Sequence, residues 1–202
     1  MPCEAFFIKA ELLAPPNKAE ILRYMRAPSG DPAGCHLPGE CLPQAMAALD
    51  CRVCGKELAL TVDELGVTLD GIEVKSRSLA NYFRDCSRVF AFAATVGIHL
   101  DRLILRHSST SPATALCYHA IGTERIEALA DYFCENLAKR YEKSGTLKPR
   151  FSPGYGDAPL SLQRQLFALL DCTRHIGITL TDTGLITPTK SITALVGIKE
   201  RK

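Results

Sequence analysis

The residues best suited to chemistry lie in one short stretch, RFSPGYGD, which runs from Arg150 to Asp157. An arginine enters a Ser-Pro-Gly turn, and the turn ends in Tyr-Gly-Asp. A guanidinium can donate two parallel hydrogen bonds to a carboxylate, and glycines let a ligand approach the backbone closely. The stretch therefore predicts a turn that holds a zwitterionic small molecule. A well-formed loop between two helices explains the same residues without a ligand.

Three carboxylates on a long predicted helix are the next candidates. The spacing i, i+3 and i+7 places Glu124, Glu127 and Asp131 on one side of that helix. This side lies away from the apolar stripe, which includes Ile126 and Leu129. On the residues alone, the three carboxylates are interpreted as a solvated helix face.

The chain has nine cysteines, and four of them fall within a short segment: Cys35, Cys41, Cys51 and Cys54. The pair Cys51 and Cys54 has the spacing of a metal knuckle, but Cys35 and Cys41 do not form the second close pair that a zinc ribbon needs. Two interpretations stay open: a metal or redox site, and a thiol pair at the start of a strand. No metal ligand set is assigned.

Composition and motifs exclude several classes of function. The sequence contains no GxGxxG after a predicted strand, no phosphate-binding GxxxxGK[ST], no HExxH and no GxSxG. A net charge of +2 does not indicate a nucleic-acid or membrane-surface partner. No apolar run reaches the roughly 18 residues of a membrane-spanning helix, and Glu4 lies where a signal peptide would carry positive charge. We therefore expect a cytoplasmic protein that binds neither nucleic acid nor membrane.

The elements that must position these residues are a mixture of strands and helices without regular βαβ alternation. This order predicts an α+β fold with a mostly antiparallel sheet. The predicted strands are 4–9, several within 51–74, 88–94, 176–181 and 192–198. The predicted helices are 17–26, 40–49 with Pro43 in its first turn, 76–85, 97–107, 111–143 and 159–172. Residues 27–36 and 146–158 are predicted loops, and the last two strands are predicted to form a hairpin or to be neighbours in one sheet.

Two long segments carry a family resemblance. The sequence resembles the activation domain of cobalamin-dependent methionine synthase, and in particular the small stand-alone members of that family. The resemblance is carried by PRFSPGYGDAPLSLQRQLFALLD, which is followed by IGITLTDTGLITPTKSITALVGI. The match includes an Arg-x-x-x-Gly-Tyr signature at Arg150, Gly154 and Tyr155, and a Pro-x-x-Ser segment at Pro188. It covers roughly residues 70–200. We therefore divide the chain into an N-terminal helical subdomain or extension (1–55) and an activation-domain-like core (56–202).

The resemblance implies a twisted antiparallel sheet flanked by helices and a shallow site for S-adenosylmethionine. In the full synthase, cobalt occasionally slips to inactive cob(II)alamin. The activation domain then presents S-adenosylmethionine, while a flavodoxin-type donor supplies one electron and methyl transfer restores the active cofactor. The protein would be an accessory of this kind, because the chemistry occurs at the cobalamin of a partner.

The resemblance also implies roles for individual residues. Arg150 would bind the methionyl carboxylate, Ser152 and Gly154 would offer backbone groups, and Tyr155 would line the site. Glu127 matches an acidic position near the ligand, whereas Glu124 and Asp131 are interpreted as structural.

Two departures from the family pattern stand out. The acidic residue that the synthases place near the start of the domain, to hold the ligand's amino group, has no match. The Asp-x-His-x-x-Gly cobalt-ligand motif is also missing at His36, so cobalamin would come only through a partner.

Three hypotheses follow. The first is a stand-alone S-adenosylmethionine-binding module that supports reductive reactivation of a cobalamin-dependent methionine synthase. The second is a ligand-binding or regulatory protein that serves another corrinoid protein. The third is a metal or redox protein that uses the four clustered cysteines.

Overall fold

The computed structural model describes residues 2–27 and 32–201. In chain order the elements are β1 (Glu4–Ile8), a 3-10 turn (Ala10–Leu12), α1 (Lys18–Met25), α2 (Pro32–Ala47), β2 (Cys51–Val62), β3 (Gly66–Leu69), β4 (Ile72–Lys75), α3 (Arg77–Phe83), β5 (Arg88–Thr95), α4 (Ile98–His107), α5 (Pro112–Tyr141), β6 (Gly145–Phe151), α6 (Leu162–Leu170), α7 (Cys172–Ile176), β7 (Thr179–Leu180), β8 (Ile186–Thr187) and β9 (Ser191–Glu200). Among these residues, no helix combines the length and the apolar character needed to cross a membrane.

Seven strands form one antiparallel sheet: six follow the order β4-β3-β2-β5-β9-β6, and β1 pairs with β2 outside this order. The 12-residue strand β2 is long enough to pair twice along one edge: its first half pairs with β1 and its last residues pair with β3. Its other edge pairs with β5, which in turn pairs with β9. The predicted antiparallel sheet with flanking helices is confirmed.

Helices cover both faces of the sheet and form two apolar cores. On one face, α1, α2, α4 and α5 pack against the sheet. On the other face, α3, α6 and α7 pack against it, and β3 and β4 contribute apolar side chains to this second core. The central strand β5 is buried from Val89 to Thr95 and alternates between the two cores. The continuous apolar run RVFAFAA therefore reflects burial on both faces, as predicted.

Local sequence signals account for the helix boundaries on these faces. The Asn17 side chain accepts hydrogen bonds from the backbone N–H groups of Ala19 and Glu20, at 3.1 and 3.3 Å, and so caps α1. Ser76 caps α3 in the same way through the N–H of Leu79. Pro112 is the first residue of α5, where a missing N–H costs the helix nothing.

The N-terminal segment packs on α5 and is fixed there by a buried ion pair. Arg125 is fully buried, donates to the Glu124 carboxylate at 2.5 and 2.6 Å, and donates to the carbonyl of Ala14 at 2.7 Å. Glu124 also accepts a bond from the N–H of Asn17. The proposed division at residue 55 falls inside β2, and the division stays a prediction.

The prediction of a loop over 27–36 and of a helix that starts at residue 40 was wrong. Helix α2 begins at Pro32 and contains Pro38 and Pro43 in its interior, while residues 28–31 lie outside the described part of the chain. Proline normally ends a helix. Here burial of Cys41 and Ala45 against the α5 side of the sheet holds the helix together, so tertiary packing overrides the local preference.

Three predicted elements in the C-terminal part of the chain were also wrong in their boundaries. The predicted loop 146–158 begins only at Ser152, because residues 145–151 form β6 at the edge of the sheet. The predicted strand 176–181 is reduced to the two residues of β7, which pairs with β8 in a separate small sheet and not with β9. The predicted helix 159–172 is broken at Asp171, whose left-handed φ of 44° separates α6 from α7.

Candidate functional site

A bulge in the edge strand β6 sets the direction of Arg150. Leu147 pairs with Ile198, and Arg150 pairs with Val196, so β6 contains one more residue than β9 over this interval. Pro149 lies inside the bulge, where no ladder bond needs its missing N–H. Since side chains alternate along a strand, the extra residue moves Arg150 to the face that Leu147 and Val196 share. That face is covered by α5.

Arg150 meets two carboxylates of α5 on this face. One terminal nitrogen of its guanidinium donates to Asp131, and the other donates to Glu127. The Arg150 side chain is 23% exposed, against 44% for Glu127 and 63% for Asp131. Partial burial disfavours the charged arginine, but the hydrogen bonds and charges of Asp131 and Glu127 raise the pKa of Arg150 above its ordinary value. The guanidinium is therefore permanently charged.

A pocket of about 420 Å³ opens beside this ion-pair cluster. Glu127, Asp131 and Arg150 line it, together with Tyr155 from the following turn. The remaining walls are Cys134, Leu147, Lys148, Pro149 and Val196. A permanent cation, two carboxylates and an aromatic ring thus surround one hollow, a set that suits a small molecule with charges of both signs.

Three of the five predicted site residues line this hollow, namely Arg150, Glu127 and Tyr155. Tyr155 is 59% exposed and packs edge-on against Phe151, with ring centroids 5.8 Å apart. Ser152 and Gly154 are not part of the pocket wall. The N–H of Gly154 donates to the carbonyl of Ala158, so that donor is used within the turn. The roles of Arg150, Ser152, Gly154, Tyr155 and Glu127 in ligand binding stay predictions.

Asp157, the last residue of the stretch, holds the turn in place. Its carboxylate accepts hydrogen bonds from the Ser76 hydroxyl at 2.5 Å and from the N–H groups of Arg77 and Ser78 at 2.9 and 3.0 Å. These are donors at the start of α3, where a negative charge is favoured. The hydrogen bond from Ser76, followed by those of the backbone, lowers the pKa of Asp157 to about 2. The sequence did not separate this structural role from ligand binding.

Asp131 is the residue that the sequence analysis did not assign to the site. It was interpreted as part of a solvated face, together with Glu124. The two carboxylates have different partners. Glu124 is buried and forms an ion pair with Arg125, whereas Asp131 shares the guanidinium of Arg150 with Glu127. The i, i+4 spacing of Glu127 and Asp131 was a usable signal, but only the bulge in β6 shows which cation the two carboxylates meet.

A second cleft, of about 690 Å³, adjoins the pocket and shares Glu127 and Asp131 with it. Its far wall is built from the N-terminal segment, including Pro15, Asn17 and Glu20. The N-terminal segment, which lies outside the sequence resemblance, thus comes next to the candidate site.

The clustered cysteines do not assemble around one point in the described residues. Cys51 and Cys54 lie on one strand but face opposite cores, since their spacing is odd. Burial, followed by the charge of Asp50, raises the pKa of Cys51 to about 11. Cys41 is a buried residue of α2, and the side chain of Cys35 lies outside the described part. No group of three metal-ligating side chains is found among the residues described.

The family model described as vitamin B12 dependent methionine synthase, activation domain, matches residues 72–201. The chain belongs to this family. The match includes the entire stretch from Arg150 to Asp157 and the α5 segment that carries Glu127 and Asp131, and it confirms the resemblance seen in the sequence. No curated protein matches the chain.

A solved structure confirms the fold of this activation-domain family member. The crystal structure of the MetH reactivation domain bound to AdoHcy aligns with a TM-score of 0.74 and 15% sequence identity. The alignment covers 100% of this chain and 80% of that chain. At this identity the comparison shows the shared architecture, and the roles of individual side chains are argued from the geometry described above.

Proposed function

We propose that this activation-domain family member binds S-adenosylmethionine in the pocket bounded by Arg150, Glu127 and Tyr155, and that it presents the ligand for reductive reactivation of a cobalamin-dependent methionine synthase. One observation carries the proposal: in a chain of this family, a permanently charged guanidinium faces a pocket of about 420 Å³ between two carboxylates. AdoHcy in the similar solved structure supports a ligand of the same chemical class.

The charges of the pocket suit those of S-adenosylmethionine. The ligand carries a carboxylate, an ammonium and a sulfonium, and its net charge is positive. Arg150 offers a donor for the carboxylate, and the two carboxylates leave an excess of negative charge for the cationic groups. Tyr155, which is more than half exposed at the mouth of the pocket, is placed to contact the ligand from the solvent side.

The protein's part in the reaction is positioning. The partner's cobalamin supplies the redox and methyl-accepting chemistry. This chain holds the amino-acid end of the ligand, so that the methyl group points outward to the partner. We propose a stand-alone arrangement, a flavodoxin-type electron donor and a cytoplasmic location. The location is supported by the eight cysteines with described side chains, all of which are free thiols.

Titration calorimetry tests ligand binding. Wild-type protein is expected to bind S-adenosylmethionine, and Arg150→Ala is expected to weaken binding by about 10- to 100-fold, because a charged hydrogen-bond partner of the carboxylate is lost. Arg52→Ala is the matched control, since Arg52 is also paired with a carboxylate, that of Asp50, but lies outside the pocket. Absence of binding by the wild type, or equal loss in both variants, would contradict the proposal.

A further inference from the structure

The Arg150 guanidinium is divided between two acids. Each of its terminal nitrogens donates to a different carboxylate, one to Asp131 and the other to Glu127. An amino-acid carboxylate that binds an arginine in the forked geometry needs two of these donors. Binding therefore requires that at least one of the two protein carboxylates gives up its place.

Asp131 is the carboxylate that can move at lower cost. Its side chain is 63% exposed, compared with 44% for Glu127, and exposed ion pairs contribute little to stability because water competes for both partners. Glu127 reaches the more enclosed part of the site and can stay on Arg150. Release of Asp131 leaves its carboxylate at the pocket wall, next to the position that the ligand's carboxylate then takes.

An α-amino acid carries its ammonium on the same carbon as its carboxylate. When the ligand's carboxylate binds Arg150, its ammonium must therefore lie close to the guanidinium, where Asp131 has just been released. The result is an alternating arrangement of charges: Glu127, Arg150, ligand carboxylate, ligand ammonium, Asp131. Each charge then has an opposite neighbour, and no buried charge is left unpaired.

We infer that Asp131 exchanges its partner on ligand binding: it leaves Arg150 and binds the ammonium of the incoming amino-acid group. The inference rests on the proposed function and adds a specificity residue to it. It also gives this chain an ammonium ligand in place of the acidic residue near the domain start, for which the sequence has no match. Because Asp131 follows Glu127 by one helical turn, a single helix supplies both acids.

Three ligands separate this role from a purely structural one. S-Adenosylmethionine carries both the carboxylate and the ammonium, decarboxylated S-adenosylmethionine keeps only the ammonium, and methylthioadenosine has neither. If Asp131 binds the ammonium, Asp131→Asn weakens the first two by about 10- to 100-fold and leaves methylthioadenosine unchanged. If Asp131 only orients Arg150, Asp131→Asn leaves the decarboxylated compound unaffected, because that compound has no carboxylate for Arg150 to bind.

The matched control is Glu135→Gln. Glu135 is exposed, lies one further turn along α5 and lines the adjoining cleft without reaching Arg150. It is expected to bind all three ligands as the wild type does. Wild-type binding of S-adenosylmethionine with no loss in Asp131→Asn would overturn the inference and leave the proposed function intact. Failure of the wild type to bind S-adenosylmethionine would instead overturn the proposed function.

Discussion

At the scale of single residues, the pocket depends on one cation, Arg150, which Glu127 and Asp131 share. Arg150 and Tyr155 stand in a recognisable signature, and both line the pocket. Asp131 has no motif of its own. Its exposure and helical position fit a solvated face equally well, and the extra residue in β6 that turns Arg150 toward it leaves no clear mark in the sequence beyond Pro149.

Loss of the buried Arg125 side chain should destabilise the folded state. Arg125→Leu is expected to lower the free energy of unfolding by about 3 to 5 kcal/mol, because Glu124 would be left as a nearly buried, unpaired charge. Urea denaturation measures this change. The double variant Arg125→Leu with Glu124→Leu should recover part of the loss, and a double variant no more stable than the single one would contradict the explanation.

The buried Lys190 should lower the free energy of unfolding at neutral pH. Its side chain is buried, and its ammonium donates to the hydroxyl of Thr123 at 3.0 Å. Burial lowers the pKa of Lys190 to about 8 from 10.5. The folded state thus binds fewer protons than the unfolded state between these values, and the free energy of unfolding rises as pH increases through this window.

Lys190→Met is therefore expected to raise the free energy of unfolding at pH 7 by about 1 to 3 kcal/mol. The gain should shrink as the pH rises from 8 to 10.5, because the wild-type lysine becomes neutral. Urea denaturation across this range measures both effects. Lys199→Met, at an exposed lysine of β9, is the matched control. A difference for Lys190→Met that stays constant across this pH range would contradict the explanation.

At the scale of elements, strands that are buried on both faces were well predicted, and segments held by distant contacts were not. The run from Arg88 to Thr95 needs only its own apolar pattern to be recognised. Helix α2 contains two prolines that locally favour a loop, and it forms because α5 and the sheet bury its apolar residues. Strand β6 was predicted to be a loop. It forms a strand because it pairs with the distant β9, and this pairing is interrupted by the bulge.

The turn after β6 depends on α3 for its position. Asp157→Ala is expected to lower the melting temperature, since the first N–H groups of α3 lose their charged acceptor. The pKa of Asp157 is lowered to about 2 from 3.8. Its stabilising effect is therefore fully present above pH 3.8 and is lost as the pH falls toward 2. Thermal unfolding of both proteins at pH 7 and pH 2 checks this prediction.

The melting temperatures of the wild type and Asp157→Ala should differ at pH 7 and converge near pH 2. Asp63→Ala provides a comparison within another capped turn, because Asp63 accepts hydrogen bonds from the N–H groups of Leu65 and Gly66 and lies outside the pocket. It should not change S-adenosylmethionine binding, whereas Asp157→Ala should weaken it by releasing the turn that carries Tyr155. Unchanged binding in Asp157→Ala would show that the turn keeps its position without this anchor.

At the scale of the whole molecule, the sheet supports the site from one side and α5 from the other. The edge strand β6 presents Arg150, the long helix presents Glu127 and Asp131, and the N-terminal segment closes the adjoining cleft. The fold class and antiparallel sheet were predictable from the periodicity of the elements. The contribution of the N-terminal segment was not, because no motif links residues 15–20 to a helix more than 100 positions away.

We propose that this domain delivers a methyl group from S-adenosylmethionine to a cobalamin carried by another protein. The most direct test uses S-adenosylmethionine labelled in its methyl group, a cobalamin-dependent methionine synthase truncated before its own activation domain, and a reduced flavodoxin. The account predicts label on the synthase's cobalamin when wild-type protein is added, and at least a tenfold slower rate with Arg150→Ala. Transfer of label at the same rate with Arg150→Ala, or with no added protein, would contradict it.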